Sequence, residues 1–243
     1  MKKIFISVIS LAVLLGGCKK DSETEPTPLT PNSFTITISH SVDAQSLYFD
    51  SLMYTNEAGY NYSVSRVWYY LSNLKLIKSD SSEIKISDYL FVDAAQSSTC
   101  KMNLSSVPEG SYIGIAYSIG LDSSTNQTGA LPATVENLQM EWPVPMGGGY
   151  HFLKFEGSFI DSSLSYGFTM HIGTNTYLVN GKAWRNFSIG SGNNQINLAM
   201  NLNEWFRNPM VYDFDMDGNY SMGNMMAMDK LMKNGADVFN IVP

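Results

Sequence analysis

A chain of 243 residues, 44% hydrophobic and only 15% charged, carries enough apolar material for a substantial core and has a polar surface that is sparsely ionised. Its formal net charge of −7 repels a phosphate backbone, which removes nucleic acid from the expected partners. The only cysteines are Cys18, which the residues before it mark as a lipid anchor, and Cys100, so no intrachain disulfide is expected and stability must come from the core.

Met1-Lys2-Lys3 is followed by an apolar run from Ile4 to Leu15 and by Leu15-Gly16-Gly17-Cys18. A charged start, an apolar stretch too short to span a bilayer and small residues ahead of a cysteine predict a lipoprotein signal peptide over residues 1–17. Acyl chains on Cys18 would then hold the protein on a membrane. Lys19 to Asn32 contains Asp21, Glu23, Glu25, Pro26, Pro28 and Pro31 with little apolar material, so residues 18–33 are expected to form a disordered tether. The lysine pair and acidic residues directly after Cys18 resemble the surface-export signal of Bacteroidota lipoproteins. The expected location is the cell envelope, with the chain lipid-anchored to the outer membrane and either periplasmic or surface-exposed.

No second linker interrupts residues 34–243, which are expected to form one domain. Alternation of β-branched and aromatic residues predicts strands at Phe34–His40, Arg66–Ile77, Ile84–Ile86, Tyr89–Val92, Ser111–Gly120, Tyr150–Phe159, Tyr166–Ile172 and Gln195–Leu202. Many short strands separated by turn residues predict an all-β fold, an antiparallel β-sandwich. A short C-terminal helix is expected over Ser221–Lys233, with Ser221 as N-cap and Asn234-Gly235 as the stop.

Enzyme signatures are missing. Gly147-Gly148-Gly149 leads into a strand and not a helix, which is unlike a phosphate loop. There is no nucleophile elbow, Cys100 has no histidine near it in sequence, and nothing in the sequence brings Glu136, Glu141 and Glu156 into a catalytic pair. A non-enzymatic role is expected.

Metal ligation is the chemistry with the best candidates. The three histidines, His40, His151 and His171, each lie in or at the end of a predicted strand, and a sandwich can converge distant strands on one copper or zinc ion. Met216, Met222, Met225, Met226, Met228 and Met232 crowd the end of the chain; their thioethers suit Cu(I), but their helical spacing is also that of a packed face. Asp213, Asp215 and Asp217 alternate ahead of Gly218 as in the start of a calcium loop, although Asn224 stands where the bidentate glutamate belongs.

The segment Met140-Glu141-Trp142-Pro143 through Gly149-Tyr150-His151-Phe152-Leu153-Lys154-Phe155-Glu156-Gly157 resembles the central motif of the MbnP-like copper-binding proteins. Further matches follow in the same order as in that family: Tyr69-Tyr70-Leu71-Ser72-Asn73-Leu74-Lys75-Leu76, Val107-Pro108-Glu109-Gly110-Ser111-Tyr112, Ile119-Gly120-Leu121-Asp122 and Phe168-Thr169-Met170-His171-Ile172-Gly173. The resemblance implies an extracytoplasmic β-sandwich. In some members it also implies a copper site of histidines and an oxidised tryptophan, the oxidation being credited to a partner di-haem peroxidase. On this chain it points to His171, His40, His151 and Trp142 as the metal site. The chain departs from the family in Pro143-Val144-Pro145-Met146, where another tryptophan is expected; Trp68, Trp184 and Trp205 are the alternative tryptophans. The abundant tyrosines support a second expectation, a surface glycan-binding or adhesion lipoprotein without metal chemistry.

Overall fold

The computed structural model describes residues 31–242. The signal peptide, Cys18 and most of the expected tether lie outside the described residues.

Among the described residues, twelve strands form two sheets. The first sheet contains β1 (Ser33–Val42), β2 (Gln45–Ser46), β6 (Lys101–Ser105), β11 (Asn193–Asn201) and β12 (Phe239–Val242). The second contains β3 (Tyr54–Thr55), β4 (Asn61–Ile77), β5 (Glu83–Asp93), β7 (Gly110–Ile119), β8 (His151–Asp161), β9 (Leu164–Gly173) and β10 (Val179–Ile189). Three α-helices, α1 (Val135–Gln139), α2 (Phe214–Asp217) and α3 (Met225–Asn234), and four short 3-10 helices complete the described fold.

The expected antiparallel sandwich is what forms, with one exception: β1 and β11 run parallel, from Ser33 beside Asn193 to Ser41 beside Asn201. β1 shows why the alternation was readable. Phe34, Ile36 and Ile38 are buried while Thr37 between them is exposed, so one face packs and the other meets water. β4 behaves differently, being buried almost continuously from Val67 to Ile77 apart from Trp68, Asn73 and Lys75. It is covered on both sides. Tyr69 packs toward the other sheet against Phe239, whereas Tyr70 donates to Asn137 of α1 at 2.7 Å and meets Tyr150 edge-on. The segment between β7 and β8, which contains α1, therefore roofs the outer face of the second sheet.

Two expected strands, Ile84–Ile86 and Tyr89–Val92, are one continuous strand, β5. The polar pair between them sits in a half-exposed strand, where polarity does not mark a turn. β6, β10 and β12 carry weaker patterns, β2 and β3 are only two residues long, and none of the five is among the expected strands. The C-terminal helix is present but starts later: Asn224, not Ser221, caps it by accepting from the Ala227 amide. Among the described residues, no helix is long and apolar enough to cross a membrane.

Candidate metal centre

β8 and β9 form a hairpin that places Lys154 opposite His171 and Glu156 opposite Thr169. Residues directly or diagonally opposed across an antiparallel pair share a face, so His171 can reach Glu156. The imidazole Nε2 lies 2.8 Å from Glu156 Oε1. Arg66 of β4, the register partner of Glu156, donates to both carboxylate oxygens at 3.0 and 2.8 Å and stacks over the Trp68 ring at 4.7 Å. Burial works to raise the Glu156 pKa, but the His171 hydrogen bond and the Arg66 charge outweigh it and hold the carboxyl below its ordinary value.

An ionised Glu156 accepts from His171 Nε2–H and leaves the lone pair on Nδ1. That Nδ1 is buried and has no hydrogen-bond partner. A buried polar atom without a partner is costly, and here the orphan is an electron-pair donor.

His151 completes a pair. A register shift between His151 and Leu153 disrupts the alternation at the start of β8, and the His151 and His171 rings meet at 5.0 Å between centroids, nearly perpendicular. Its Nδ1 lies 3.1 Å from the Met140 carbonyl, to which it donates, leaving Nε2 with the free lone pair. Burial, reinforced by Lys154 and His171, lowers its pKa to about 3, so the ring is neutral and able to ligate.

Trp142 closes this side. Its ring lies 4.7 Å from that of His151, its Nε1–H donates to the Met146 carbonyl at 3.1 Å, and it is 1% exposed. Gly173 makes the fit feasible, because a Cβ there would come within 2.3 Å of the indole. The His171-Ile172-Gly173 motif thus combines a ligand candidate with the flat seat for Trp142. On the other side Ser221 clamps β9, accepting from the His171 amide and donating to the His171 carbonyl.

His40 does not join them. It sits on β1 of the other sheet, its Nε2 3.0 Å from the hydroxyl of Tyr69, whose ring points between the sheets. Burial lowers its pKa to about 4. The expected three-histidine site is therefore corrected to a pair, because β1 and the β8–β9 hairpin present their imidazoles in different layers. Among the described residues no group of three or more His, Cys, Asp or Glu side chains is placed to hold a metal.

The calcium expectation meets the same difficulty. Asp213 caps α2, accepting from the Asp215 and Met216 amides at 2.9 and 3.2 Å and from the Tyr60 hydroxyl at 3.1 Å. Asp217 accepts from the Asp213 amide and from Lys230 Nζ at 2.6 Å, while Asp215 is exposed. These carboxylates turn the chain and anchor α3; they do not converge. Of the other tryptophans, Trp205 is wholly buried against Gly235, Trp68 lies under Arg66 and Trp184 is exposed. Met216, Met225 and Met226 are more than two-thirds exposed, at 84%, 70% and 83%, so packing does not account for them.

Sequence reading missed Arg66 and the orienting role of Glu156. A hairpin register counted outward from the Asp161–Leu164 turn would have brought Glu156 diagonal to His171; nothing in the sequence announces Arg66, which arrives from β4.

The family model described as MbnP matches residues 31–226. Among solved structures the chain is similar to MbnP from Methylosinus trichosporium, at 11% identity and a TM-score of 0.51, over 76% of this chain and 80% of that one. At that identity the likeness concerns the fold alone. No curated protein matches.

Proposed function

The chain belongs to the MbnP family, and from that premise we propose that it is a membrane-anchored, extracytoplasmic metal-binding lipoprotein that binds copper through His151 and His171. The observation that carries this reading is the orphaned, buried Nδ1 of His171 beside the neutral ring of His151. The donor set fits: imidazole suits copper, and nitrogens about 2 Å from a shared ion are compatible with ring centres 5.0 Å apart.

What the protein contributes is the preparation of the two donors. Met140 and Glu156 each take the proton-bearing nitrogen of one ring, which selects the tautomer and leaves the other nitrogen free. Arg66 keeps Glu156 ionised. Trp142 excludes water from one side. Bound copper would add the redox and ligand-exchange chemistry of that ion. The protein is read as a binder and not as an enzyme, attached through Cys18; any oxidation of Trp142 would require a separate enzyme such as the di-haem peroxidase implied by the resemblance.

Copper titration of the chain lacking residues 1–18, by calorimetry and by competition with a Cu(I) chelator, tests the reading. One equivalent is expected to bind; His151→Ala and His171→Ala each abolish binding, while His40→Ala leaves it intact. Copper binding that survives both substitutions, or that needs His40, would overturn the assignment.

A further inference from the structure

A second concave surface lies on the outer face of the same sheet, away from the histidines. Gly114, Ala116 and Ser118 of β7 pair with Trp184, Lys182 and Asn180 of β10, and register partners share a face. The small residues form a floor about 13 Å long at the rise of a strand, and the longer side chains form a wall. β4 and β5 supply the opposite wall with Asn73, Lys75 and Glu83, enclosing a groove of about 640 Å³. That is the size of a small-ligand site.

Both walls are irregular where the side chains matter. β10 has a bulge directly after Trp184, and β4 has one between Ser72 and Lys75 at which Asn73 adopts φ 51°. Bulges re-aim side chains, and a left-handed residue inside a strand is a local cost that regular pairing would avoid. The indole of Trp184 lies over Gly114, where a Cβ would come within 3.0 Å of the ring, yet the residue is 60% exposed. An exposed tryptophan held against the sheet is a stacking platform.

The polar groups define the chemistry of the occupant. Asn73 and Asn180 present their amides, tied together by the buried Ser118 hydroxyl, which accepts from Asn73 at 3.4 Å and donates to Asn180 at 2.8 Å. Lys75 and Lys182 approach one carboxylate, Glu83, from two sides at 3.0 and 3.1 Å, leaving two ammonium groups for one acid. Their hydrogen bonds hold the Glu83 carboxyl below its ordinary pKa. A flat apolar ring face, hydroxyl-binding amides and excess positive charge together match a sugar ring bearing a carboxylate.

We propose that this groove binds an acidic saccharide of the uronate type, stacked on Trp184 with its carboxylate on Lys75 and Lys182. It is independent of the histidine pair and does not rest on copper.

Calorimetric titration with trigalacturonate and, separately, with cellotriose at low ionic strength tests it. Trigalacturonate is expected to bind, more weakly as salt is added, and cellotriose at least about tenfold more weakly. Trp184→Ala is expected to weaken trigalacturonate about tenfold. Glu83→Gln, which frees both lysines, is expected to strengthen it several-fold. Trp184 is largely exposed, so its removal should leave the thermal midpoint unchanged. No binding of trigalacturonate, or binding unchanged by Trp184→Ala, overturns the site; cellotriose binding as tight as trigalacturonate overturns the acidic class.

Discussion

Burial holds two of the three histidines neutral across the physiological range, with different consequences. His40 is lowered to about 4 from 6.5, so between those values the folded protein binds fewer protons than the unfolded chain. The stability contributed by keeping His40 neutral is therefore complete above pH 6.5 and is lost as pH falls toward 4. At about 1.4 kcal/mol per unit, His40 accounts for on the order of 3 kcal/mol of that loss. Urea unfolding between pH 7 and 4 should show it, and His40→Gln, which retains a partner for Tyr69, should flatten the profile by a similar amount. His151 titrates lower still, at about 3, so this ring should stay unprotonated and able to ligate until the protein is already acid-weakened. Glu156 tests the tautomer argument. Glu156→Gln keeps the size of the side chain but removes the charge that selects Nε2–H on His171. Copper affinity should fall about 10- to 100-fold, the usual cost of losing a group that orients a ligand; an unchanged affinity would mean that Glu156 serves only Arg66.

Within the β8–β9 hairpin the register and one irregularity build the candidate centre. Regular alternation makes Glu156, Lys154 and His171 neighbours. The shift beside His151 is what lets a residue at the start of β8 meet His171. Periodicity in the sequence located both strands but could not reveal a bulge, which depends on the partner strand. Gly173 is the other element-level device. Gly173→Ala would push a methyl into Trp142, and overpacking of this kind costs about 1–3 kcal/mol. A red-shifted tryptophan emission with weakened copper binding is expected; an unaltered spectrum would show that the indole has room to move. α3 teaches the opposite lesson about local signals. Ser221 and Asn224 are both acceptable caps by type, and the choice fell to Asn224 because the Ser221 hydroxyl is occupied by the main chain of His171.

Across the whole molecule, the two sheets are joined through aromatic residues distant in sequence. Phe239 of β12 packs edge-on to Tyr117 at 5.0 Å and against Tyr69 at 6.2 Å, bridging both layers from beyond the region matched by the family model. Phe239→Ala should cost about 3–5 kcal/mol, read as a lowered urea midpoint. A loss below 1 kcal/mol would mean that β12 is an ornament on the edge of the sheet and not part of the core.

The all-β class, most strand positions, the C-terminal helix and the family were legible in the linear sequence, because alternation, turn residues and ordered motifs are local properties of the chain. Which histidines meet was not. His40 and His171 close similar strand patterns, and only the layer in which each strand lies separates them. The parallel pairing of β1 with β11, the arrival of Arg66 beside Glu156 and the groove under Trp184 likewise depend on strand order and register between segments far apart in sequence. Tertiary structure decided them because a side chain acquires its partners from whichever strand packs beside it, and that is set by the burial of the whole core.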